Sequence, residues 1–106
     1  TFANGGVMPK GHLITKIENA SGDVIAEFKP STKRVISQSV ANKMTSMMLG
    51  TFSNGSAVNA NAYGYTIAGK TGTVEANFNA DLTSDQWVIG YTPDVVIAQW
   101  IGYDSV

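Results

Sequence analysis

One segment of this 106-residue chain has residue types and a spacing that suit chemistry: residues 64–71 (GYTIAGKT). Four residues separate Gly64 from the Gly-Lys-Thr triplet at 69–71, which formally matches the phosphate-binding loop of nucleotide-binding proteins. Such a loop must follow a buried strand and open a helix, so that backbone amides point at the phosphates. Residues 58–63 (VNANAY) are not a hydrophobic strand, and residues 72–74 (GTV) open a helix poorly. The nucleotide site is therefore kept only as the weaker alternative.

The stronger interpretation places Lys70, Thr71, Gly72 and Thr73 on an extended strand. In a strand, Lys70 and Gly72 face one side of the sheet and the two threonines face the other. Gly72 removes side-chain bulk where a ligand could lie along the strand edge, and backbone N–H groups there can act as donors. Such an edge can bind a peptide and hold an oxyanion. The competing interpretation is an ordinary strand with a surface lysine.

The elements that must position this strand can be predicted from pattern. The runs 13–17 and 24–28 predict a hairpin around residues 19–23 (NASGD). Ser37 or Ser39 is expected to cap a helix that stops at Asn54 and Gly55. Its apolar positions fall at helical spacing: Val40, Met44, Met47, Met48 and Thr51.

The second half of the chain is expected to be β-rich. Residues 53–65 and 75–85 are predicted to be polar loops, and a strand is predicted from about 65 to 74. Residues 87–91 and 95–103 predict a hairpin around Thr-Pro-Asp, and the run 95–98 with Trp100 is apolar on both faces of its strand. One helix with antiparallel strands predicts an α+β fold.

Composition excludes several classes of function. Seven Lys and Arg balance eight Asp and Glu without clustering, so no nucleic-acid or anionic-membrane surface is expected. The absence of Cys removes thiolate metal sites and Cys nucleophiles, and the single His cannot form a His-rich metal site. No apolar run approaches the roughly 20 residues of a membrane span, and we expect no span and no signal peptide within these residues.

The Lys-Thr-Gly triplet at 70–72 resembles the third signature of the serine penicillin-recognising enzymes. The resemblance extends over essentially the whole chain, because five segments follow the order found in bifunctional class A penicillin-binding proteins. These segments are residues 2–6 (FANGG), a Met-rich helix ending near 52–55 (FSNG), 68–73 (AGKTGT), 87–93 (WVIGYTP) and 100–104 (WIGYD). The resemblance implies residues 1–106 are the C-terminal portion of one transpeptidase domain, α+β, with a helix packed on an antiparallel sheet.

The implied activity is that of a DD-transpeptidase, which cross-links peptidoglycan stem peptides through an acyl-serine and is blocked by β-lactams. Lys70 would contribute positive charge and a hydrogen bond to the serine of the family's Ser-x-Asn motif. The Thr71 and Thr73 hydroxyls would bind a carboxylate beside Gly72, and the Thr73 N–H would form half of the oxyanion hole. The implied partners are stem peptides, β-lactams and the remainder of the domain. No cofactor and no metal is implied.

The other two signatures of that family are missing from this chain. No Ser stands three residues before a Lys, and none stands two before an Asn. Serines such as Ser53, Ser56 and Ser84 are expected in polar loops without a nearby lysine. The chain alone is therefore expected to be inactive, and its parent protein to be anchored at the extracytoplasmic face of a bacterial membrane. A β-lactam sensor domain or a β-lactamase relative stays open, because both share Lys-Thr-Gly.

Overall fold

Seven strands and two helices occupy the part of the chain that the computed structural model describes, residues 1–77 and 79–103. In chain order they are β1 (Val7–Pro9), β2 (Lys16–Glu18), β3 (Val24–Glu27), β4 (Thr32–Arg34), α1 (Gln38–Met48), α2 (Gly50–Ser53), a 3-10 turn (Val58–Ala60), β5 (Ala68–Ala76), β6 (Asn79–Tyr91) and β7 (Val96–Gly102). Every strand pair among them is antiparallel. The α+β prediction is confirmed.

The main sheet has the strand order β5-β6-β7. Its last hairpin was predicted and is present, because residues 92–94 make a compact turn. The Thr92 N–H donates to the Val95 carbonyl at 2.9 Å, and the Thr92 hydroxyl accepts from the Asp94 and Val95 N–H groups at 3.3 Å. This turn sets the register that places Trp87 opposite Trp100.

The polar segment 75–85 is mostly strand, so the loop predicted there is wrong. β5 continues to Ala76 and β6 begins at Asn79, with register shifts next to Glu75. Cross-strand pairing outweighs residue preference here, since strand propensity depends on neighbours more than on the isolated side chain. Ser84 is buried within the ribbon, its hydroxyl 2.8 Å from Asp85 Oδ2.

Helix α1 begins where the sequence indicates. The Ser37 hydroxyl accepts from the Val40 N–H at 3.2 Å, which satisfies one of the free donors of the first turn. The predicted single helix is divided, because α1 ends at Met48 and the short α2 carries the chain to Ser53, just before the predicted stop. Ala41 of α1 and Phe52 of α2 are buried, so these helices supply part of a small core.

Two short strand pairs cover the first third of the chain. The predicted hairpin forms as β2 with β3, although it is shorter than expected. The pairing of β1 with β4 was not predicted, because neither three-residue strand alternates apolar and polar residues. Gly5 and Gly6 both have positive φ, and the Gly5 carbonyl accepts from Arg34 Nη1 at 2.7 Å, which joins the first turn to β4.

Strand β7 exposes apolar side chains on both faces. Val96, Ile97 and Ile101 are 60%, 61% and 64% exposed, although the sequence predicts a strand covered on both sides. Within the described residues β7 pairs only with β6, so its outer edge carries no partner strand. A bare apolar edge is a template for pairing with another segment. The resemblance described above implies that residues 95–103 pair with a strand from the remainder of the domain, and this stays a prediction.

Candidate functional site

Strand β5 carries the four predicted site residues side by side. Lys70 pairs with Ile89, Thr71 with Val88, Gly72 with Trp87 and Thr73 with Gln86. The lysine is exposed, and its Nζ lies 2.8 Å from the Thr71 carbonyl oxygen, to which it donates. The four residues therefore lie on one strand, as the sequence predicts, and neighbouring side chains alternate between its two faces.

Backbone groups at alternate positions of β5 face away from the sheet. The Gly69 carbonyl accepts from the Thr51 hydroxyl at 2.7 Å, and the Thr71 carbonyl accepts from Lys70 Nζ. Neither donor belongs to β6, so both carbonyls lie on the edge of β5 that faces away from β6. Because residues two apart in a strand direct their N–H and C=O groups to the same edge, we infer that Thr73 also faces outward. The N–H and C=O of Thr73 are thereby placed on the outer edge, where a ligand backbone could pair with them.

A groove runs beside the threonines on one face of the sheet, with a volume of about 400 Å³. Its polar lining includes Ser56, Thr71, Thr73, Gln86 and Gln99. Ser56 Oγ and Thr71 Oγ1 lie 2.9 Å apart, so the loop after α2 contacts the candidate site directly. Sequence reasoning missed Ser56, because the contact joins residues 15 apart that no local pattern relates.

Helix α2 fixes the start of β5 by a polar and an apolar contact. The Thr51 hydroxyl binds the Gly69 carbonyl, while the Phe52 ring packs over Gly69 and Gly90. A Cβ on Gly69 would overlap the Ile89 carbonyl oxygen and come within 2.8 Å of the Phe52 ring. Gly69 is therefore needed so that α2 and β6 can both approach the strand that carries Lys70.

We expect Gly69→Ala to lower the free energy of unfolding of the complete domain by about 1–3 kcal/mol, the usual cost of overpacking. The displaced strand should also slow acylation by penicillin. Gly72→Ala is the matched control, because a Cβ there would meet the Trp87 side chain, with Cβ at 3.3 Å, and no backbone atom within 4 Å. Urea unfolding of both variants checks this, and equal midpoints for the two would contradict the role assigned to Gly69.

The other face of the sheet beneath Gly72 is aromatic. The Trp87 and Trp100 rings have centroids 6.4 Å apart and planes tilted by 46°. The Trp100 indole donates to Asp85 Oδ1 at 2.8 Å. This bond and the Ser84 hydroxyl hold the pKa of the Asp85 carboxyl below its ordinary value. Asp85 therefore stays ionised at neutral pH and joins β6 to β7. This support for the site was not predicted, because the sequence analysis placed Asp85 in a loop.

The phosphate-loop alternative loses its structural basis. Gly64 has a φ of 84° and lies in a turn, but the residues after the Gly-Lys-Thr triplet form strand β5 rather than a helix.

Residues 1–77 and 79–103 contain no cluster of three or more potential metal ligands. Among the helices of this described part, none is long and apolar enough to cross a membrane.

Comparison with known proteins gives a consistent result. The family model described as "Penicillin binding protein transpeptidase domain" matches residues 1–105. Penicillin-binding protein 2a of Streptococcus pneumoniae is 65% identical over 104 residues, which cover 98% of this chain and 14% of that protein. Penicillin-binding protein 1F of Bacillus subtilis is 36% identical over 105 residues, covering 99% and 15%.

Two solved structures share the fold of this chain. The D,D-transpeptidase domain of a peptidoglycan glycosyltransferase from Eggerthella lenta has a TM-score of 0.76 at 30% identity, covering 92% of this chain and 24% of that chain. The imipenem acyl-enzyme complex of penicillin-binding protein A from Mycobacterium tuberculosis has a TM-score of 0.77 at 26% identity, covering 97% and 24%. The chain thus spans about one seventh of the curated relatives and about a quarter of these structures.

Proposed function

Because the chain belongs to the transpeptidase-domain family of penicillin-binding proteins, we propose that it supplies the Lys-Thr-Gly strand to the acyl-serine site of a peptidoglycan DD-transpeptidase. The observation that carries this proposal is the outer edge of β5. There Lys70 is exposed, Thr71 and Thr73 line the same groove, and the Thr73 backbone is inferred to face outward. No other strand in the described residues offers this combination.

The proposal treats residues 1–106 as the C-terminal portion of one transpeptidase domain. Two observations support it. The serine signatures Ser-x-x-Lys and Ser-x-Asn do not occur in the sequence, and the chain covers about a quarter of the length of each of the two similar solved structures. The remainder of the domain would supply the nucleophile, and it would cover the apolar edge and faces of β7.

Each residue of the strand has a distinct chemical task in this proposal. The Lys70 ammonium would place positive charge and a hydrogen bond at the serine of the Ser-x-Asn motif, which lies outside these residues. The Thr71 and Thr73 hydroxyls would donate to the carboxylate of the stem peptide or β-lactam. The Thr73 N–H would donate to the carbonyl oxygen as negative charge develops on it in the transition state.

β-Lactam binding is proposed for the complete domain on the same grounds. Solved structures similar to this chain include imipenem and penicillin G acyl-enzymes of penicillin-binding protein A. A β-lactam presents a strained carbonyl and a carboxylate, which are the two groups that this strand edge would bind. The proposal also puts the domain at the extracytoplasmic face of a bacterial membrane, where peptidoglycan is assembled, with any anchor outside these residues.

We expect Lys70→Ala in the complete domain to slow acylation by a fluorescent penicillin by at least about tenfold, since a charged hydrogen bond is worth roughly 1.5 kcal/mol or more. The fold should be retained, because Lys70 is exposed and its loss opens no cavity. Stopped-flow fluorescence measures the rate.

The controls separate charge from position. Lys70→Arg keeps the charge and should lie between wild type and Lys70→Ala. Lys43→Ala removes an exposed lysine from α1 and should acylate at the wild-type rate. An acylation rate of Lys70→Ala within about twofold of wild type would remove Lys70 from the mechanism.

A further inference from the structure

The contact between Ser56 and Thr71 is built by a closely packed part of the fold. Gly55 packs so closely on α2 that an added Cβ would lie 2.7 Å from the Gly50 carbonyl oxygen. On the other side of Ser56, the Ala57 N–H donates to the Thr51 carbonyl at 2.9 Å, and Ala57 is buried. These contacts restrain the backbone on both sides of Ser56, whose hydroxyl lies 2.9 Å from Thr71 Oγ1.

We infer that Ser56 is a positioning residue that orients the Thr71 hydroxyl toward a ligand carboxylate; this inference rests on the proposed function. A hydroxyl has one hydrogen to donate and two lone pairs with which to accept. When Ser56 donates to Thr71 Oγ1, the single Thr71 hydrogen is left free for a carboxylate oxygen. The hydrogen bond that Thr71 accepts also polarises its O–H group, which strengthens the bond it donates.

The same contact restricts the Thr71 side chain. Threonine has three staggered χ1 positions, and only some of them keep Oγ1 within hydrogen-bond distance of a fixed Ser56. The hydroxyl of Thr51, which precedes Ser56 in the chain, likewise donates a hydrogen bond to the Gly69 carbonyl. The Thr51 hydroxyl therefore fixes the backbone of β5 at Gly69. The Ser56 hydroxyl fixes the side chain of Thr71, the next outward position of the same strand.

The test uses the complete transpeptidase domain and two probes, benzylpenicillin and its methyl ester, which lacks the carboxylate charge. We expect Ser56→Ala to reduce acylation efficiency with benzylpenicillin about three- to tenfold, the range for one neutral hydrogen bond, and with the ester less than about twofold. The loss should lie in the binding constant and not in the limiting acylation rate. Ser56→Thr, which keeps the hydroxyl, should restore the wild-type preference.

Two controls make the outcome specific. Ser53→Ala removes a nearby exposed hydroxyl whose one hydrogen bond within the described residues goes to Asn54, at 3.5 Å, and it should behave as wild type. In a Thr71→Val background, Ser56→Ala should have no further effect, because its partner is gone. Equal losses for both probes, or an undiminished effect in the Thr71→Val background, would overturn the inference.

A readout that does not depend on acylation keeps this inference separate from the proposed function. Three-bond scalar couplings of Thr71 in the same domain should report one χ1 rotamer in wild type and Ser56→Thr, and averaging in Ser56→Ala. Unchanged couplings in Ser56→Ala would refute the positioning of Thr71. A wild-type domain that shows the single rotamer but no acylation would refute the proposed function instead.

Discussion

Excess penicillin is expected to leave the mass of the isolated 106-residue chain unchanged. Covalent catalysis needs a nucleophile held next to a base and facing an oxyanion hole. In the proposed function, the strand edge at Lys70 to Thr73 would provide part of the hole and a carboxylate site, but the sequence contains neither serine signature. The expected result is therefore complete absence of an adduct, the largest difference that any of these experiments should show.

The serines in the described residues support this expectation by their contacts. Ser56 Oγ is bound to Thr71, and Ser53 Oγ contacts only Asn54. Ser84 was predicted in a loop, but it is buried in β6 with its hydroxyl on Asp85. In the described part of the chain no serine hydroxyl is hydrogen-bonded to a lysine or histidine, so none has a base to take its proton.

Intact-mass spectrometry after incubation with benzylpenicillin is the direct measurement, with the complete transpeptidase domain as the positive control. The complete domain should gain the mass of one antibiotic. A gain of the same mass by the isolated chain, mapped to one of its own serines, would show that the Lys-Thr-Gly assignment and the incomplete site are both wrong.

The strand that carries the site could be predicted because its evidence is local. Thr71, Thr73 and Val74 favour a strand, and the residues after the Gly-Lys-Thr triplet do not favour a helix. The N-cap at Ser37 and the turn at residues 92–94 were predictable for the same reason, since each depends on side chains within a few positions. Local chemistry was enough to place Lys70 and Thr71 on adjacent positions of one strand.

The supports of the site could not be predicted, because they join distant residues. Thr51 and Gly69 are 18 positions apart, and Ser56 and Thr71 are 15 apart. Thr51 was predicted as part of an apolar helix face, whereas its hydroxyl binds the backbone of β5. Only the three-dimensional packing of α2 on the sheet reveals that this helix fixes both the backbone and one hydroxyl of the strand.

The long β5–β6 ribbon shows a different limit of sequence patterns. Residues 79–85 (NADLTSD) have the composition of a loop, yet they form about half of the 13-residue strand β6. Asn79, Thr83 and Asp85 pair with β5, and of residues 79–85 only Asp85 also pairs with β7, where its carboxylate accepts from the Trp100 indole. Polar composition predicts exposure more reliably than it predicts backbone conformation, because a hairpin extended into solvent satisfies its hydrogen bonds across the ladder.

Thr73→Pro in the complete domain is expected to slow acylation by about 100- to 1000-fold, as removal of one oxyanion-hole donor does in other acyl-transfer enzymes. Proline lacks the N–H that the proposed mechanism aims at the developing oxyanion. At most positions of a sheet this substitution would also break the ladder. The Thr73 N–H is inferred to face the outer edge, where strands accept proline with the least damage.

Thr73→Ala is the matched control, because it removes the hydroxyl but keeps the N–H. It should slow acylation by no more than about tenfold, the effect of one hydrogen bond to a charged carboxylate. Thermal unfolding of both variants shows whether the sheet is retained, and stopped-flow acylation with a fluorescent penicillin measures the rates. If a folded Thr73→Pro domain acylates as fast as Thr73→Ala, the Thr73 N–H donates to no oxyanion, and the hole must be built from another part of the domain.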